Sequence, residues 1–190
     1  NSNNAPLAAN LENWIPKSDD IVLYTYYGCS YASRSYERPI WSKMQADMRY
    51  FGDHGIKGLM PEGPLDSGGG CAVWDMNALT FWIYSKLAWN PDEDIDALIS
   101  YFCDKVYGEA AEYMEEYYHL IRQGWEEGES ENHHWNFKLD ETYYFDTFVY
   151  LVDLEDDIIA ALNNAYNAAD DMAKARISPI KTSYENYFAE

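Results

Sequence analysis

The chain has 190 residues and a mass of 22.0 kDa, enough for one ordinary domain with a buried core. With 47% hydrophobic and 24% charged residues it is neither a disordered chain nor, lacking any apolar run near the roughly 20 residues of a spanning helix, a membrane one. The abnormal quantity is charge: 33 acidic against 13 basic residues give −20, a field that repels nucleic acid and anionic membrane surfaces alike.

That charge is unevenly placed. Residues 1–90 carry 9 acidic and 7 basic residues, whereas residues 91–190 carry 24 and 6. Aromatic residues, including 18 Tyr and 7 Trp, reach 17% of the chain, a population that suits both packed helices and stacking on sugar faces. Cys29, Cys71 and Cys103 are too few and too widely spaced for a disulfide scaffold or a zinc site, so at least one is free or intermolecular, and Cys29 and Cys71 are expected to act as small packing residues. The first residues, Asn1 to Asn4, carry neither an initiator Met nor a leader pattern, so they say nothing of location.

In chain order, residues 7–15 repeat apolar groups at Leu7, Leu11, Trp14 and Ile15, a short helical stripe. Residues 21–27 are β-branched and aromatic and end at Gly28, which predicts a buried strand. Trp41, Met44, Met48 and Phe51 fall on one helical face after Pro39. Residues 56–60 form a second short strand, and 61–70, rich in Gly and Pro, a loop. Residues 75–89 are helical and apolar nearly all round, which predicts burial. Strands joined through helices lie parallel, yet two parallel strands do not make a stable sheet.

The second half contains helices alone. Asn90, Pro91 and Glu93 form a helix-start pattern with Asn90 as cap, and Gly108 ends the helix they open. Another helix spans about 109–125. A long stripe through 141–176 predicts an extended helix, broken once, that Pro179 stops.

Some of these residues carry a resemblance. The succession Tyr24-Thr25-Tyr26-Tyr27, then 55–63 (GIKGLMPEG), 86–91 (KLAWNP) and 107–113 (YGEAAEY) resembles the C-terminal part of the bacterial domain of unknown function 4838 family. Residues 173–177 (AKARI) resemble the end of its helical region. That family is similar to glycoside hydrolases with (β/α)8 barrels, such as α-glucuronidases and β-hexosaminidases. A whole barrel needs roughly 250 residues and eight strands. The resemblance therefore implies an α/β fragment plus an all-α part, predominantly helical overall. Residues 1–90 would be the last two β/α units of a TIM-type barrel and 91–190 a C-terminal helical bundle. It also implies a secreted or cell-surface bacterial protein.

Barrel active sites lie at the C-terminal ends of strands. On that placement Glu62 is the candidate catalytic or sugar-binding carboxylate, with a loop glutamate that caps the next segment as the simpler reading. Asp66 is a candidate partner for it, while Asp75 reads as a helix cap. Tyr26, Tyr27 and Trp74 are candidate sugar platforms, although one of the two adjacent tyrosines must face the core. If related barrels are a guide, the principal acid comes from middle strands outside this chain.

His54 and His119 read as structural or solvated, and His133 and His134 lack a recognisable third metal ligand. Gly68 to Gly70 have no following Lys-Ser/Thr, so no metal or cofactor is expected. The expected function is a glycoside-hydrolase-like contribution to a glycan-binding cleft, inactive in isolation. The alternative is a non-catalytic module that binds glycan or a partner protein. The expected partners are a glycan and either a second copy or the missing barrel part covering the strand edges.

Overall fold

The structure, a computed structural model, describes residues 5–25, 27, 36–61, 76–128 and 141–188. Helices dominate the described residues, beside one two-stranded parallel sheet. No helix among them is long and apolar enough to cross a membrane.

Helix α1 (Ala5–Trp14) runs into a 3₁₀ turn (Ile15–Lys17) and buries none of its residues. Its apolar stripe exists, but Leu7 and Trp14 point to solvent. Strand β1 (Val22–Thr25) pairs with β2 (Gly58–Pro61), Val22 opposite Gly58 and Tyr24 opposite Met60. Between them α2 (Trp41–Asp53) buries Trp41, Met44 and Met48, the stripe expected from their spacing. It ends where Gly55 adopts a φ of +74°, with Gly55 N donating to Gly52 O and Ile56 N to Phe51 O. That double bond pattern requires the left-handed residue glycine supplies most easily.

The sheet corrects the expectation of a buried strand. Leu23 and Thr25 of β1 are half-buried, while Val22, Tyr24 and, on β2, Met60 are 60%, 51% and 54% exposed. The reason is that, among the described residues, helices cover one face of the sheet. The composition of a two-sided buried strand is present, but the second layer is not among the described residues.

Helix α3 (Ala78–Trp89) corrects a similar expectation. Leu79, Thr80, Ile83 and Leu87 are buried on one face, but Trp89 is 92% exposed. Helix α4 (Ile95–Tyr107) starts four residues later than its predicted start signal. Asp94 is its cap, accepting from Asp96 N at 2.9 Å and Ala97 N at 3.1 Å. Asn90 Oδ1 instead accepts from Asp92 N in a local turn, a geometry that Asn favours as readily as a cap. Gly108, with a φ of +54°, closes α4, and a 3₁₀ turn (Gly108–Ala110) leads into α5 (Ala111–Glu127).

The predicted long helix is divided. Helix α6 (Glu141–Phe145) widens into a π turn (Asp146–Tyr150), in which Leu151 N donates to Asp146 O. Asp153, at a φ of +57°, turns the chain into α7 (Glu155–Ala168), and α8 (Asp171–Phe188) follows. Pro179 does not stop α8 but lies inside it. Ala175, whose carbonyl loses its donor to the proline ring, is exposed, so water can serve it.

One hydrophobic cluster joins the strand-containing segment to the helical one. Tyr36 stacks on Tyr144 at 3.9 Å and meets Phe145 edge-on. Gln45 on α2 donates to the carbonyls of Pro91 and Glu93 at 3.0 and 2.7 Å, closing the turn that enters α4. The sharpest contact is between α5 and the π turn. A Cβ on Gly124 would lie 2.1 Å from Phe148 O, and one on Gly128 2.5 Å from Phe148 Cδ1. Bare glycine backbone therefore receives the bulged carbonyls directly.

Candidate functional site

Of the residues singled out in the sequence, Tyr27 is described. Glu62, Tyr26, Asp66 and Trp74 lie outside the described residues, as do Asp75, Cys29, Cys71, His133 and His134. Tyr27 follows β1 and is half-buried on the helix side of the sheet, with Leu23 and Thr25. Its hydroxyl donates to Asp47 Oδ2 at 2.6 Å, and its ring lies 5.9 Å from that of Tyr84. Asp47 is held in turn by Lys43, whose Nζ reaches both carboxylate oxygens at 2.8 and 2.9 Å. Burial, then the neighbouring Asp47 charge, pushes the Tyr27 hydroxyl well above the ordinary tyrosine range. It is a locked hydrogen-bond donor that ties the end of β1 to α2.

A hollow of about 400 Å³ lies beside β2, between α2 and α3, with Met48, Phe51, Leu59, Tyr84 and Leu87 in its wall. Among the described residues its wall carries no carboxylate and is largely apolar.

The carboxylate with unusual properties is Glu37, which sequence reasoning passed over. It lies four residues before α2 and is fully buried. Its Oε1 accepts from Thr80 N at 2.7 Å, in the first turn of α3. Its Oε2 has no hydrogen-bond partner. Thr80 Oγ1 accepts from Trp41 Nε1 at 2.9 Å, and the Glu37 carbonyl accepts from the Tyr144 hydroxyl at 3.2 Å. The same few atoms thus join α2, α3 and α6.

Two effects oppose each other at Glu37. Burial raises the carboxyl pKa, while the bonds from Thr80 lower it by favouring the charged form. Burial wins, and the pKa is pushed up to about 8. The site therefore holds a neutral carboxylic acid near pH 7, surrounded by tyrosine hydroxyls. Tyr144 contacts the Tyr184 hydroxyl at 3.4 Å, Tyr117 does the same at 3.4 Å, and Tyr107 pairs with Tyr118 at 2.9 Å. The burial that holds Glu37 also raises Tyr117, Tyr118, Tyr144 and Tyr184. A signal was present: Glu37 is a lone acid between Tyr36 and Trp41 in a stretch with no other acid from 21 to 46.

The two described histidines are held by local partners. His54 Nδ1 lies 2.7 Å from Tyr50 O at the end of α2, and His119 pairs with Glu115 and Arg122 along α5. Cys103 is buried and free, and its thiol is pushed above the ordinary range by burial. That leaves it without thiolate character.

The described chain is a predominantly helical protein carrying one parallel β–α–β unit. It belongs to the family described as a domain of unknown function, DUF4838, whose pattern matches residues 1–119. No curated protein and no solved structure matches the chain.

Proposed function

We propose that this chain is part of a carbohydrate-active, glycoside-hydrolase-like protein and supplies the last two β/α units of its barrel with a helical appendage. The observation that carries this reading is the sheet. A parallel β1–α2–β2 unit followed by α3 has one face packed on helices and the other open, apolar and lined by Val22, Tyr24 and Met60. Such alternation is what a barrel strand shows when its inward neighbours are taken away. Tyr26 and Glu62 each follow in sequence the last residue of a strand.

On this reading Glu62 binds sugar hydroxyls or serves as one of two carboxylates, with Asp66 nearby in sequence. Tyr27 is taken up on the helix side by Asp47, which leaves Tyr26 and Trp74 as the candidate sugar platforms. The principal acid belongs to another strand of the complete protein. The test is a glycan panel run on the full-length protein with Glu62→Gln and Tyr26→Ala beside it. The expected result is turnover or binding that both substitutions weaken at least tenfold. Glycan binding without turnover would favour a non-catalytic module, and neither would sink the carbohydrate reading.

A further inference from the structure

A second concavity lies far along the chain from the strand ends. It is a groove of about 440 Å³ between the start of α3 (Ala78), the end of α4 (Phe102, Val106) and α8 (Met172, Ala175, Pro179). Its volume is within the range of pockets that hold small molecules, and its wall is mainly apolar.

One cation lines this groove. Arg176 Nη1 donates to Val106 O at 2.6 Å, and Nη2 lies 3.4 Å from Met172 Sδ. A guanidinium carries five N–H donors in a planar fork, so these two contacts leave donors unused. No carboxylate is paired with it among the described residues. The Arg176 side chain is exposed to solvent at the groove. Its bond to the last turn of α4 fixes the fork at the groove wall, so less rotamer freedom is lost when a ligand arrives.

From this juxtaposition we propose that the groove binds a small monocarboxylate with a compact apolar body, the carboxylate on Arg176 and the body against Phe102 and Val106. The apolar body excludes water from the ion pair, and the guanidinium fork donates to both carboxylate oxygens. Size selects against a macromolecular occupant, since the space is that of one ring or a short alkyl chain. This site is separate from the glycan reading and does not depend on it.

The test uses benzoate and hexanoate against benzamide and hexanamide, which match them in shape but carry no charge, with binding followed by NMR shifts of groove amides. The expected result is saturable carboxylate binding at least tenfold tighter than that of the amides. Arg176→Gln should remove that difference, and Arg176→Lys should keep part of it. Because Arg176 also holds Val106, thermal melts of each variant accompany the titrations. Ala175→Phe, which fills the groove and leaves Arg176 in place, should abolish binding of all four probes with the melting temperature kept. The proposal is overturned if no carboxylate binds at about 10 mM, or if amides bind as well as acids. It is equally overturned if Ala175→Phe binds benzoate as the parent chain does.

Discussion

Glu37 sits where three helices meet, and its protonation state is coupled to whether they stay together. An unfolded Glu titrates near pH 4.3, whereas the folded Glu37 holds its proton to about pH 8. A raised folded-state pKa means its contribution is fully present below the unfolded value and is lost as pH rises through about 8. Among the described residues the groups coupled to the carboxyl include Thr80 from α3, Cys103 from α4 and the hydroxyls of Tyr107, Tyr117, Tyr118, Tyr144 and Tyr184. Glu37→Gln should therefore flatten the decline of stability between pH 5 and about 8, and raise stability at the upper end by on the order of a few kcal/mol. Urea unfolding of both proteins across that range checks it, and parallel pH profiles would refute it. Glu37 was not legible from the sequence because burial of one acid is decided by residues as distant as Tyr144 and Tyr184. Tyr27 was half legible: alternation required one tyrosine of the pair to face the core, but only the position of Asp47 on α2 shows which.

Among the elements, spacing predicted interiors of helices better than their ends. The stripe of α2 is buried as expected, because three residues at helical spacing leave one solution. The start of α4 was ambiguous because Asn90 and Asp94 are both cap-forming residues, and the choice depends on Gln45 satisfying the intervening turn. Asp94→Ala should cost about 1 kcal/mol, and Asn90→Ala less, measured by chemical denaturation. The π turn left no local signal, since it exists to meet α5 at its two glycines. Gly124→Ala forces a methyl group against Phe148 O and should cost about 1–3 kcal/mol or more. Gly52→Ala, in α2 with nothing within 4 Å of the new methyl group, should stabilise by up to about 1 kcal/mol. Melting temperatures moving in opposite directions for the two substitutions would confirm the close approach; a shared direction would argue against it.

At the scale of the molecule, the open sheet face determines solution behaviour. Val22, Tyr24 and Met60 form an apolar face beside unpaired strand edges, a combination that favours association. Sedimentation of the isolated chain should show concentration-dependent self-association that Tyr24→Lys weakens, whereas a monomer at all concentrations would argue against it. The asymmetry of charge belongs to the same picture. The segment with the sheet is nearly neutral, so little repulsion opposes closure of another layer on it, while the acidic helices keep their outer faces solvated.

Helix α5 has one more consequence. The family pattern stops at residue 119, in the middle of a helix spanning Ala111–Glu127. Beyond that point lie Ile121 and the glycines that receive the π turn, and α7 packs on the same helix. What is shared among relatives and what folds as a unit therefore have different limits. A polypeptide cut after 119 would leave the ring and hydroxyl of Tyr117 without Tyr184, which itself reaches Tyr144. For protein engineering, the cooperative unit extends through α8, and trimming to the family limit is expected to give an insoluble product.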